Sequence, residues 1–277
     1  MDFRSAEARQ RYDAVRAAAG HLVLGLDFDG TLAPIVDDPE QAWVHPRAGD
    51  AVAAVAGRVG AVAVVTGRPV RQVLRLGSLE ALGEQISAAG GTLLVLGQYG
   101  NERWSSDDPR VLSPEPPAGL TRVQAELPDV LRAADAEDAW VEEKGLAVAV
   151  HTRRLPDATA AFERALPALT ELARKHGLQV EPGRLVVEVR APGMDKGAAV
   201  RALAGELDAG ALAFVGDDLG DVEAFRAVIE LRERGLPGLL VCSGSEEQTA
   251  LVELSDVVVD GPDGVVAWLR ELAADLS

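Results

Sequence analysis

Two aspartates one residue apart, Asp27 and Asp29, close an apolar run of strand length, Leu22-Val23-Leu24-Gly25-Leu26, and are followed by Gly30 and Thr31. A continuous apolar run is how a strand buried on both faces of a parallel sheet reads. Ligands of open α/β sheets gather at the carboxyl ends of such strands. Paired carboxylates placed there can attack an electrophile, move a proton or hold a cation, and Gly30 lets the chain turn sharply behind them. An Asp/Gly turn without chemistry is the plain alternative. A calcium loop is excluded, because Leu32 and Asp38 stand where it needs Gly and Glu.

Three other places share this character. Thr66 ends the apolar run Ala61-Val62-Ala63-Val64-Val65 and precedes Gly67-Arg68-Pro69. Its hydroxyl either caps a helix or binds a phosphoryl oxygen at a strand end, and the two roles are compatible because helix N-termini favour anions. Lys196 follows Asp195 in the first turn of an expected helix, where a cation opposes the macrodipole by about a few tenths of a kcal/mol. The chain holds three lysines, Lys144, Lys175 and Lys196, against twenty-four arginines. A lysine in that position of so arginine-rich a chain points to a compact charge that neutralises a carboxylate and a phosphoryl group. Gly216-Asp217-Asp218-Leu219-Gly220-Asp221 follows another buried strand. One of its aspartates is expected to cap the next helix. The carboxylates together repel unless a cation sits among them, and oxygen-only ligands suit Mg²⁺. The four histidines are scattered without the spacing of zinc ligands.

The elements that must position these groups follow from the pattern. An amphipathic helix over 5–19 precedes the first strand, Pro34 and Pro39 mark a loop, and a helix is expected over 49–59 before the second strand. Leu93 to Leu96 gives another short strand. Four prolines between Ser105 and Gly119 mark a hinge. Beyond it come a helix (120–134), two strands (139–143, 146–151), a helix (157–176) and two strands (178–181, 185–190), an α+β signature. The βαβ rhythm then resumes, with helices over 196–207, 221–234 and 263–276 and strands over 211–215, 239–242 and 257–259. The expected fold is an α/β core with a parallel sheet and an inserted α+β domain: core over 1–107 and 192–277, insertion over 108–191.

At 277 residues with 48% hydrophobic content the chain can bury a sizeable core. A net charge of -17 argues against nucleic acid and anionic membranes as partners, though not against an anionic substrate met by a cation. The single cysteine, Cys242, excludes an intrachain disulfide framework. The first nineteen residues are charged, with no signal-peptide core, and no run reaches the ~18 apolar residues of a membrane span. A cytoplasmic monomer is expected.

Asp27-Phe28-Asp29-Gly30-Thr31-Leu32 resembles the first motif of the haloacid-dehalogenase-type phosphatases. The order Asp-x-Asp, Thr, Lys, Asp-Asp, with the insertion between Thr66 and Lys196, is similar to that superfamily's four motifs, and the insertion lies where its larger cap domain belongs. Outside these motifs, Gly97-Gln98-Tyr99-Gly100-Asn101-Glu102-Arg103-Trp104, Val141-Glu142-Glu143-Lys144-Gly145, His151-Thr152-Arg153-Arg154, Val187-Glu188-Val189-Arg190 and Asp260-Gly261-Pro262-Asp263-Gly264-Val265 resemble the trehalose-6-phosphate phosphatases.

The resemblance implies a Mg²⁺-dependent hydrolysis of trehalose 6-phosphate through an aspartyl-phosphate. Asp27 is then the nucleophile and Asp29 the general acid/base, while Thr66 and Lys196 clamp the phosphoryl oxygens. Asp27, the Asp29 backbone carbonyl and Asp217 bind the metal, with Asp218 or Asp221 in support. Glu142, Lys144 and Glu188 hold sugar hydroxyls. Gly30, Gly67, Arg68, Asn101 and His151 complete the expected substrate-binding set, His151 reading as structural rather than catalytic. Departures from the family pattern are Gly220 for a usual Thr, Thr152 for an aromatic after His151, and Tyr99 for a common His. The rival readings are a phosphatase of another sugar phosphate, such as sucrose 6-phosphate or glucosyl-phosphoglycerate, and a non-catalytic sugar-phosphate sensor.

Overall fold

Alternate residues of the central strands point into two different apolar layers. In the computed structural model, which describes residues 2–36, 38–244 and 249–276, β1 (Leu22–Leu26) sends Leu22, Leu24 and Leu26 into one core and Val23 into the other. β2 (Ala61–Val65), β3 (Leu93–Gly97), β10 (Ala211–Gly216) and β11 (Gly238–Gly244) divide their side chains in the same way. Burial on both faces explains why these strands read as unbroken apolar runs. One face is covered by α1 (Ala6–Ala17), α2 (Ala48–Ala56), α3 (Val70–Gly77), α4 (Leu79–Ala88) and α10 (Gly261–Asp275). The other is covered by α7 (Lys196–Glu206), α8 (Val222–Glu233) and α9 (Thr249–Leu254).

The eight-stranded sheet has the order β12-β11-β10-β1-β2-β3-β4-β5, with β4 spanning Glu102–Ser105, β5 Asp108–Leu112 and β12 Val257–Asp260. All pairings from β12 to β3 are parallel, and β3-β4-β5 is an antiparallel edge. The chain leaves β1 toward β2 on one side and reaches β10 on the other, so β1 sits at the switch point of the sheet. One difference from the sequence reading concerns Asp108–Leu112. It was expected in the hinge and at the start of the insertion, yet it pairs with β4 as the outermost strand. Pro109 is compatible with that place because an edge strand can lack one donor.

The chain divides into two units, Met1–Ser113 with Asp195–Ser277, and Pro114–Met194. The second contains α5 (Leu120–Ala133), β6 (Trp140–Glu143), β7 (Ala147–His151), α6 (Ala158–Lys175), β8 (Gln179–Gly183) and β9 (Val186–Arg190). Its antiparallel sheet has the order β6-β7-β9-β8. Val148, Val150, Val187 and Val189 face a core shared with Leu127 of α5 and Leu169 of α6. No helix among the described residues is long and apolar enough to cross a membrane.

Asp256, just before β12, staples three elements of the first unit. Its carboxylate is 2% exposed and accepts from Arg11 of α1 at 2.7 Å, from Arg232 of α8, and from the backbone N–H of Leu240 at 2.8 Å. Removing one partner of a buried charge cluster strands the others, at a cost of about 3 kcal/mol. Asp256→Ala is therefore expected to lower the melting temperature by roughly 6–12 °C for a unit of this size. A calorimetric scan within 2 °C of wild type would show that the cluster contributes no net stability.

Candidate active site

The parallel register delivers three strand ends to one edge of the sheet. Leu26 pairs with Val215 on one side and Val64 on the other, and the Asp27 N–H continues the ladder to the Val215 carbonyl at 2.9 Å. Asp27, Thr66 and Asp217 therefore leave neighbouring strands together. Lys196 opens α7, whose N-cap Asp195 accepts from Ala198 N–H at 2.8 Å. The helix is capped by a neighbouring carboxylate, which frees the lysine side chain to turn inward. Its Nζ donates to Asp27 Oδ1 at 2.6 Å and to Asp221 Oδ1 at 2.7 Å.

Asp27, Asp217 and Asp221 are all buried, and one carboxylate oxygen from each falls within a cluster 4.8 Å across. Burial, followed by the charge of Asp221, pushes Asp27 well above the usual carboxylate range, with Lys196 pulling it back. Asp217 is pushed up to about 8, first by burial and then by Asp218 and Asp221. Asp221 is also raised, chiefly by burial. Burial alone would lower Lys196, but Asp221 and Asp27 overcome it and hold the ammonium well above the ordinary lysine range. Fully ionised, the three carboxylates would exceed the one ammonium by two formal negative charges in a desolvated place, which is why their proton affinities rise. An all-oxygen set with that deficit fits a hard divalent cation such as Mg²⁺.

The two other aspartates of the expected metal set are placed differently. Asp218 is exposed and caps a short turn, accepting from Gly220 N–H at 2.8 Å. Asp221 completes that capping box, and its Oδ2 accepts from Asp217 N–H at 2.9 Å. The expected cap thus falls on Asp218, and the buried member of the pair is Asp221. The side chain of Asp29 is bound by Arg68, whose Nε and terminal nitrogen donate to its two oxygens at 2.6 and 2.7 Å.

Gly30 has φ +68°, and a Cβ there would come within 1.9 Å of an Asp217 carboxylate oxygen. The close approach of backbone and carboxylate requires glycine. The Gly30 carbonyl accepts from the buried hydroxyl of Ser243 at 2.6 Å, so the end of β11 also supports the turn.

Thr66 does not cap α3. Its Oγ1 accepts from Arg68 N–H at 3.1 Å, while the Val70 N–H at the helix start donates to Glu102 Oε2 at 2.7 Å. Opposite this loop the chain turns through Gln98 (φ +49°) and Tyr99 (φ +60°), two consecutive left-handed residues other than glycine. Each costs roughly 1–2 kcal/mol. The corner is held by Gln98 N–H to Arg68 O and Tyr99 N–H to Thr66 O, both at 2.9 Å. Asn101 braces it through Nδ2 to the Gln98 carbonyl at 2.8 Å. A Cβ on Gly67 would lie 2.8 Å from the Tyr99 hydroxyl, so that ring closes over the loop. Glu102 and Tyr99 entered the sequence reading only within the motif Gly97 to Trp104, Tyr99 as a departure from the family pattern, and Ser243 did not enter it. A small polar residue at the end of an apolar strand was the one available signal, and it pointed only to Ser243.

In the second unit, register places Glu142, Ala149, Glu188 and Glu181 in one row across the sheet. The row lies on the face opposite the valines that meet α5 and α6. Lys144 Nζ donates to Glu188 Oε2 at 2.6 Å, and His151 Nε2 lies 2.9 Å from Glu142 Oε2. Trp140 stacks on His151 with ring centroids 4.4 Å apart, and Arg154 lies over the Trp140 ring. Trp140 is an aromatic surface beside carboxylates that sequence reasoning also passed over.

The trehalose-phosphatase family model matches residues 25–257. A probable trehalose-phosphate phosphatase of Sinorhizobium fredii is 33% identical over 212 residues, covering 75% of this chain and 74% of that protein. An uncharacterized glycosyl hydrolase of Mycobacterium tuberculosis is 33% identical over 265 residues, 91% of this chain, and the chain spans only 18% of that protein's length. The solved C-terminal domain of the Candida albicans trehalose-6-phosphate phosphatase matches with a TM-score of 0.77 at 18% identity, covering 99% of this chain and 98% of that one. The fold is shared more widely with haloacid-dehalogenase-like hydrolases.

Proposed function

The chain belongs to the trehalose-phosphatase family, and from that premise we propose that it hydrolyses trehalose 6-phosphate to trehalose and phosphate with Mg²⁺ bound. The observation that carries this reading is the ammonium of Lys196 between Asp27 and Asp221, with Asp217 beside them, at the carboxyl edge of the sheet.

Asp27 attacks phosphorus in line and the bond from phosphorus to the sugar oxygen breaks, leaving an aspartyl-phosphate. Asp29 gives a proton to the departing sugar oxygen, then takes one from the water that attacks phosphorus and returns Asp27 to its carboxylate. Lys196 and Thr66 hold the phosphoryl oxygens, and the buried edge keeps their charge and dipole effective. Asp27 and Asp217 would hold the metal, and Asp221 keeps Lys196 and the Asp217 backbone in place. When bound, Mg²⁺ would supply positive charge against these carboxylates and act as a Lewis acid on the phosphoryl oxygens. Asp218 serves the turn.

Sugar recognition falls to the inserted unit, acting as a cap, through Glu142, Lys144 and Glu188, with Trp140 offering an apolar surface to a pyranose ring. Remote binding energy of this kind is spent on positioning. Glu142→Ala or Glu188→Ala is expected to lower kcat/KM for trehalose 6-phosphate by roughly 10 to 10³-fold, the equivalent of one or two charge-assisted hydrogen bonds. Hydrolysis of p-nitrophenyl phosphate should hardly change. Equal losses on both substrates would make these residues structural.

The reading as a whole is tested by phosphate release from trehalose 6-phosphate, sucrose 6-phosphate and glucosyl-phosphoglycerate, each with and without Mg²⁺. Preference for another sugar would overturn the substrate, and no release from any would leave the sensor reading.

A further inference from the structure

We propose that Arg68 is a positioning residue that fixes the carboxylate of Asp29 for proton transfer, and that its contribution to turnover passes entirely through Asp29. This rests on the proposed role of Asp29 as the acid/base of the reaction.

The guanidinium joins two segments that are far apart in sequence. Its Nε donates to Asp29 Oδ2 at 2.6 Å, and one terminal nitrogen donates to Asp29 Oδ1 at 2.7 Å. The other terminal nitrogen donates to the Pro39 carbonyl at 2.9 Å. The group lies over the Phe28 ring at 5.9 Å from its centroid. All three donor positions are thus directed onto the segment that follows β1. The backbone of Arg68 is held as firmly, with its N–H on Thr66 Oγ1 at 3.1 Å and its carbonyl accepting Gln98 N–H at 2.9 Å.

Among the described residues, Arg68 is the side chain that grips Asp29, and it grips both oxygens. The terminal torsion of an aspartate is soft. A proton can be passed only when the heavy atoms come within about 2.6–3.2 Å. A planar fork on both oxygens removes that rotational freedom, which a single ammonium cannot do. The Asp29 side chain is 39% exposed and that of Arg68 13%, and a pair with one partner open to solvent is screened and stabilises a fold little. Its effect should therefore appear in turnover and not in the melting temperature.

The test is a double-mutant cycle on the full chain with Mg²⁺ and trehalose 6-phosphate, using Asp29→Asn, Arg68→Gln, Arg68→Lys and the double variant Asp29→Asn/Arg68→Gln. Asp29→Asn should lower kcat by about 10² to 10⁴-fold, as the loss of general acid–base catalysis does. Arg68→Gln should lower kcat by roughly 10 to 100-fold with KM within about threefold of wild type, and Arg68→Lys should recover only part of the loss. In the double variant the Arg68 change should add nothing to the Asp29 loss, because the group it positions is gone.

Multiplying effects in the double variant would overturn the proposal. So would a loss confined to KM, which would make Arg68 a phosphate ligand, or full activity of Arg68→Lys. An Arg68→Gln variant that melts well below wild type would also count against it, and the lysine variant then carries the kinetic comparison. Wild-type turnover in Asp29→Asn alone would instead sink the acid/base assignment, a failure visible without any Arg68 variant.

Discussion

Replacing Asp27 by asparagine should abolish hydrolysis of trehalose 6-phosphate while leaving the fold in place. The substitution is nearly isosteric, and the hydrogen bond that ties this position to β10 is made by its backbone. Lys196 keeps Asp221 as a partner. The change removes one of three crowded carboxylates from a buried cluster, so metal-free protein should melt no lower than wild type, and its charge repulsion is relieved. A carboxamide cannot form the phosphoryl adduct. Uncatalysed phosphate-monoester hydrolysis is among the slowest of reactions, and loss of a nucleophile that acts in concert with its neighbours costs on the order of 10⁴-fold or more. Phosphate release and acid-quenched trapping of labelled phosphate on the protein are the two measurements. A variant retaining a tenth of wild-type turnover would sink the covalent mechanism.

What could be read in the sequence and what could not divides along a physical line. β1, β2 and β10 were legible because burial on both faces leaves an uninterrupted apolar run, and the polar residues that end each run are then conspicuous. Lys196 was legible because its charge opposes the helix it begins. The distinction between Asp218 and Asp221 was not. Both sit in the same acidic segment, and only the turn between them makes one an exposed cap and the other a buried anchor. β5 was hidden because Pro109 reads as a breaker wherever a strand's edge position is unknown. The partners of Asp29 and Gly30 lie 39 and 213 residues away, and no local pattern encodes them. Arg68 was expected among the substrate-binding residues, and its guanidinium donates to both carboxylate oxygens of Asp29. The left-handed corner at Gln98 and Tyr99 ran against local preference altogether. Strain of this kind persists only where surrounding contacts impose it, and such places cluster at functional sites.

Removing divalent cations should lower turnover by on the order of 10³-fold, comparable to losing a central electrostatic stabiliser, and should destabilise the protein more at high pH than at low. Burial, then the charges of Asp218 and Asp221, push the pKa of Asp217 from the ordinary 3.8 up to about 8. Between those values the metal-free folded chain carries a proton that the unfolded chain has released, so its stability falls as pH rises through that window. Mg²⁺ competes with the same proton, and its affinity rises with pH. The melting-temperature increment from Mg²⁺ should accordingly be larger at pH 8 than at pH 5.5. At a hundredfold excess over its dissociation constant it corresponds to about 2.7 kcal/mol, or roughly 5–11 °C for a unit of this size. Lys196→Met, which removes the ammonium that bonds Asp27 and Asp221, should enlarge the increment further, because the metal then meets a greater charge deficit. Equal increments at the two pH values, or turnover that survives exhaustive chelation, would show that Asp27 and Asp217 do not hold a cation beside Asp221.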